Sequence, residues 1–132
     1  MRQLFGIDIG GTSVKWAIVN ENYEFGDRGS IPTAFVSADQ LVDALAALVG
    51  PYRGQVVGVG ISAPGGIFGY EVDPDGTIHR GGALPYMDGF PLGRALRERL
   101  GLPVTVVNAA KAVRLASTLP ARCAAWTWVA WR

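Results

Sequence analysis

A chain of 132 residues, 49% hydrophobic and 17% charged, suits one domain with its own core and leaves little room for two substrate-binding lobes. A formal net charge of +1, with no basic cluster and no zinc-finger spacing, gives no electrostatic ground for a nucleic-acid partner. Cys123 and His79 are the sole residues of their kinds, which excludes an intrachain disulfide and a His/Cys metal cluster; no apolar run spans a membrane, the glycine-interrupted start is not a secretory leader, and a soluble cytoplasmic protein is expected.

The predicted elements begin with a strand from Leu4 to Ile9 that ends at Gly10-Gly11. A second strand runs from Val14 to Val19. The short link demands an antiparallel hairpin, because a parallel return needs a long crossover. A weaker third strand, Glu24 to Ile31, follows the turn-like "NENY". "SADQLVDALAALVG" gives a helix: Ser37 is placed as N-cap with Gln40 three residues on, Leu41, Leu45 and Leu48 line one face, and Gly50-Pro51 stops it. Val56 to Ile61 is predicted as a buried central strand. Residues 62–87 are loop-rich, with the turn signals "SAPGG", "DPDG" and "HRGG". A helix is placed over Pro91 to Leu100, ended by Gly101, then a strand in "LPVTVVN" and a helix from Ala109 to Ser117. Three antiparallel strands followed by helix, strand, helix, strand, helix make an α/β domain with a mixed sheet and right-handed crossovers.

The last stretch departs from this grammar. "TLPARCAAWTWVAWR" holds Trp126, Trp128 and Trp131, and after Glu98 the chain has five basic residues and no acid. Three tryptophans on a free end are more aromatic surface than a soluble monomer leaves exposed, so association with another copy is expected. The domain is assigned to residues 1–118 and the tail to 119–132.

The chemistry concentrates in "FGIDIGGTSVKWAIVN". Asp8 closes the first strand, Gly10 and Gly11 let the backbone turn and show its N–H groups, and Thr12 and Ser13 offer hydroxyls. Asp8 and a phosphate are both anionic, so Asp8 serves a phosphate only through Mg²⁺ or its waters. The same glycines would equally serve an ordinary hairpin. Lys15, at an alternating strand position, is expected to point outward. The pattern is neither GxGxxG nor a P-loop.

"GIDIGGTSVKWAIV" resembles the first phosphate motif of the sugar-kinase, Hsp70 and actin superfamily, and within it the ROK family (repressors, ORFs and kinases). "VVGVGISAPGGI", "GALPYMDGFPLGRALRERLGLPVTVVN" and "AAKAVRLAS" agree in the same order. The resemblance covers most of residues 4 to 117. It implies a ribonuclease H-like domain of the actin-like ATPase superfamily and ATP-dependent, glucokinase-like phosphorylation of a sugar hydroxyl. ATP and Mg²⁺ are the implied cofactors and a small sugar the implied partner. On that resemblance Asp8 organises Mg²⁺ through water, Gly10, Gly11 and Thr12 line the phosphates, and Gly65 and Asn108 meet the sugar. Pro64-Gly65-Gly66 is also an ordinary turn after a strand, and a strand-end asparagine also caps helices.

Two departures stand out. Most ROK kinases read Asn-Asp where this chain reads Asn108-Ala109, and that aspartate is the catalytic base. Asp88, in a turn, is not brought there by any spacing. The family's second phosphate motif, adenine pocket, sugar-binding Glu-x-x-x-His stretch and zinc motif are not found in these residues either. The expectation is therefore a sugar kinase by descent, truncated or frameshifted near residue 118 and inactive alone. The alternative is a degenerate sugar-sensing, regulatory ROK protein without a DNA-binding head.

Overall fold

The computed structural model describes residues 2–20, 22, 24–64, 75–79 and 84–108. The predicted tail, the helix from Ala109, Ala109 itself and Gly65 lie outside the described residues.

The chain opens with an antiparallel meander: β1 (Gln3–Ile9), β2 (Ser13–Asn20) and β3 (Phe25–Pro32). Asn20 makes the second turn. Its Oδ1 accepts from the amides of Asn22 at 2.9 Å and Glu24 at 3.0 Å, the side-chain mimic of a backbone turn that asparagine supplies. Helix α1 (Ala38–Val49) follows, then β4 (Gly58–Ala63), the two-residue strands β5 (Thr77–Ile78) and β6 (Phe90–Pro91), α2 (Leu92–Leu100) and β7 (Val104–Asn108). The main sheet runs β3-β2-β1-β4-β7, with β1 in the middle and β4 and β7 parallel to it.

Half of the predicted capping box is present at α1, and its return bond goes to the residue before the N-cap. The Ser37 hydroxyl accepts from the Gln40 amide at 3.2 Å, and Gln40 Oε1 accepts from the Val36 amide at 2.9 Å. The buried face of α1 is Leu41, Val42, Leu45 and Val49, while Leu48 is only half-buried. Helix α2 has no side-chain cap; its Arg94 amide donates instead to the Asp75 carbonyl at 3.0 Å. Gly101 ends it with φ +67°, donating to the Arg97 carbonyl at 2.8 Å.

Strand β4 starts two residues later than predicted. The Val56 amide donates back to the Tyr52 carbonyl in the preceding turn, so it cannot join the ladder, and Val57 is half-exposed. The predicted loop region also contains β5, which pairs with β6 just beyond that region, and both are too short to carry a period in sequence.

Strand register sorts the residues onto two faces. Phe5, Ile7 and Ile9 of β1, Val14 and Ile18 of β2, Val59 and Ile61 of β4, and Val104 and Val106 of β7 join Leu41, Leu45, Leu92 and Leu96 of the helices in one buried cluster. Trp16 stacks on Phe5 at 5.3 Å and lies over Gly29 of β3, where an added Cβ would come within 2.9 Å of its indole nitrogen. The opposite face carries Gly6, Asp8, Lys15, Ala17, Val19, Gly60 and Ser62, mostly small residues, with Ala17, Val19 and Phe25 packing as a separate group. Asp8 thus stands on the face turned away from α1 and α2.

Candidate functional site

Because β1, β4 and β7 are parallel, their carboxyl ends open on one edge of the sheet. In open α/β sheets that edge is where ligands bind. It gathers three segments singled out in the sequence: Asp8 with the Gly10–Ser13 turn after β1, Pro64 after β4, and Asn108 at the end of β7. Asn108 pairs with Ala63, one register step beyond the Ser62–Val107 pair. Gly65 and Ala109 adjoin this edge in sequence but lie outside the described residues.

Asp8 is the acid that β1 brings to this edge. Its cross-strand neighbours are Lys15 on β2 and Ser62 on β4. Burial pushes the Asp8 carboxyl above its ordinary range, and the charge of Lys15 and the hydroxyl of Ser62 oppose this only in part. Lys15 is exposed, as its strand position requires, and its register sets it beside Asp8. Ser62 is 1% exposed, and its hydroxyl forms no hydrogen bond of ordinary geometry. It stands close enough to Asp8 to favour the ionised carboxylate without closing a bond to it. A buried orphan hydroxyl is uncommon and calls for a reason.

The turn after β1 is a built structure. The Gly10 amide donates to the Ser13 carbonyl at 2.9 Å. A Cβ on Gly10 would sit 2.9 Å from that same carbonyl oxygen, so the position admits only glycine without rearrangement. Gly11 and Thr12 are exposed, and their amides donate to no other described residue. Thr33, just past β3, bonds the turn twice, through its hydroxyl to the Gly10 carbonyl and through its amide to the Thr12 carbonyl. Neither Thr33 nor the pairing of Ser62 with Asp8 was foreseen from the sequence. Both depend on strand pairing, and a period-two pattern in β4 was the only available signal.

Among the described residues no three His, Cys, Asp or Glu side chains stand together. Among the described residues no helix is long and apolar enough to cross a membrane.

Residues 4–129 match the family model described as the ROK family. The chain is 36% identical over 112 residues to an N-acetylmannosamine kinase of Salmonella newport (strain SL254), a match covering 80% of this chain and 35% of that protein. The chain thus spans about a third of the length of the curated relatives it matches. Among solved structures it resembles a ROK family glucokinase from Streptomyces griseus in complex with glucose and AMPPNP, with TM-score 0.74 and 29% identity over 87% of this chain and 36% of that one. It also resembles an inorganic polyphosphate/ATP-glucomannokinase from Arthrobacter sp. strain KM, with TM-score 0.71 and 30% identity over 87% of this chain and 47% of that one. The α/β fold with its mixed sheet is the ribonuclease H-like fold of the actin-like ATPase superfamily. The hairpin-first sheet, the glycine turn beside Asp8 and the match along nearly the whole chain lead to one assignment: this chain belongs to the ROK family of sugar kinases and their relatives.

Proposed function

We propose that this chain is an ATP-dependent sugar kinase by descent, whose carboxyl edge faces the phosphates of ATP on one side and the hydroxyls of a hexose or N-acetylhexosamine on the other. The observation that carries this is the convergence of Asp8, the amide-bearing turn and the ends of β4 and β7 on one edge. The relatives named for N-acetylmannosamine and glucose support the substrate class.

In this reading Gly10, Gly11 and Thr12 line the phosphates: Gly11 and Thr12 present backbone amides and the Thr12 hydroxyl to phosphate oxygens, while Gly10, whose amide is engaged by the Ser13 carbonyl, shapes the turn. The half-buried Asp8 carboxylate would hold a hydrated Mg²⁺ through its waters, with the buried Ser62 hydroxyl beside it favouring the ionised form. When bound, the ion neutralises phosphate charge. Asn108 and the backbone at Gly65 orient the sugar. Ala109 follows Asn108 where the family's general base stands, and alanine can accept no proton. Loss of a general base lowers a rate by roughly 10²–10⁴-fold. The 132-residue polypeptide is therefore expected to bind its ligands without transferring phosphate. The same substitution favours a second reading, a sugar-sensing protein that keeps the site for recognition.

A coupled ADP-release assay with glucose, N-acetylglucosamine and N-acetylmannosamine tests turnover. No ADP above the hydrolysis background is expected, and Ala109→Asp alone is not expected to restore it, because these 132 residues also carry no second phosphate motif or adenine pocket of the family's kind. Turnover that survives purification and disappears in Asp8→Ala would contradict the inactivity.

A further inference from the structure

The turn after β1 contains two adjacent glycines, the residues freest to rotate their peptide planes. A peptide unit is planar, so its carbonyl and its N–H point in opposite directions. Whatever holds the Gly10 carbonyl fixes the direction of the Gly11 N–H, and whatever holds the Thr12 carbonyl fixes the Ser13 N–H. Thr33 holds both. Its Oγ1 donates to the Gly10 carbonyl at 2.9 Å, and its backbone amide donates to the Thr12 carbonyl at 3.0 Å. The Ser13 carbonyl is occupied in turn by the Gly10 amide at 2.9 Å. The carbonyls of Gly10, Thr12 and Ser13 are all engaged within the chain, while the exposed Gly11 and Thr12 amides donate to no described residue. Were the Gly10–Gly11 peptide to flip, a carbonyl oxygen would replace an N–H at the surface and repel an anion.

Resting on the phosphate reading of this turn, we infer that Thr33 is a positioning residue that locks the 10–13 turn in its amide-outward form, the form that accepts a phosphate chain. It touches no reacting atom. It acts from the far end of the meander by holding the Gly10 and Thr12 carbonyls, and with them the directions of the Gly11 and Ser13 N–H groups.

The test uses the whole 132-residue chain and inorganic tripolyphosphate with Mg²⁺, followed through the amide signals of Gly11 and Thr12 in ¹H–¹⁵N spectra. Thr33→Val keeps the β-branched shape and the backbone donor and removes only the hydroxyl bond. Thr33→Ala is a second hydroxyl-free variant, and Thr33→Ser restores the hydroxyl. One lost hydrogen bond corresponds to about a three- to tenfold rise in Kd, expected in the valine and alanine variants with the serine variant near wild type. In the free valine variant, exchange broadening confined to residues 10–13, with the remaining signals in place, marks a turn that has lost its lock. A fully folded Thr33→Val chain that binds as wild type does, with an unchanged turn, would overturn the inference alone. No shift at Gly11 or Thr12 in the wild type would overturn the phosphate reading and the inference with it.

Discussion

Asp8 carries its charge against the preference of its surroundings. Burial raises its carboxyl above the ordinary value of 3.8, and Lys15 and Ser62 compensate only in part. The native state then holds this proton more tightly than the unfolded chain does. Stability from this group is fully present below the ordinary value and is lost as pH rises through the folded one. Asp8→Asn is therefore expected to melt at a higher temperature than wild type at neutral pH, with the gain vanishing as pH falls below 3.8. Thermal melts across that range check this, and a pH-independent difference would contradict it. Gly10 gives the complementary case: Gly10→Ala drives a Cβ to 2.9 Å from the Ser13 carbonyl oxygen and should cost about 1–3 kcal/mol in urea unfolding. Asp8, Gly10, Gly11 and Thr12 were legible in the sequence because they are contiguous. Thr33 and the pairing of Ser62 with Asp8 were not, because each depends on a strand pairing that no local pattern encodes.

At the scale of elements, the sequence was most readable where a local hydrogen bond sets a boundary. Ser37 and Gln40 start α1 as their spacing requires, and Ser37→Ala is expected to remove about 1 kcal/mol of stability by chemical denaturation. Gly101 ends α2 for an equally local reason. The boundary of β4 was misread because apolar character and ladder pairing part company there. Val56 is buried yet bonded into the turn at Tyr52, and pairing starts only at Gly58 opposite Leu4. The start of α2 depends on the distant Asp75 carbonyl, a contact that no capping residue announces. The β-hairpin turn at Asn20 shows the opposite situation, since the asparagine side chain builds the turn from its own neighbours.

The whole molecule follows from the order of its elements. A hairpin-first meander leaves one side of β1 free, and β4 fills it in parallel after α1, followed by β7 after α2. That order places three strand ends on one edge and so creates the candidate site before any side chain is considered. The tryptophans at 126, 128 and 131 belong to this scale as well. Burial of one aromatic side chain is worth roughly 1.5–3 kcal/mol, so association between copies is expected. Light scattering over a dilution series should show higher species that disappear when residues after 118 are deleted, and a strict monomer at high concentration would contradict it. We propose that the edge shared by β1, β4 and β7 is a nucleotide and sugar site. Its most direct test is a ¹H–¹⁵N titration of the full chain with Mg·ATP, then with N-acetylmannosamine and glucose. Nucleotide shifts are expected to centre on residues 8–13 and to vanish in Asp8→Ala, and sugar shifts to centre on the ends of β4 and β7; ligand shifts that fall elsewhere on the fold, or none at millimolar concentration, would contradict this.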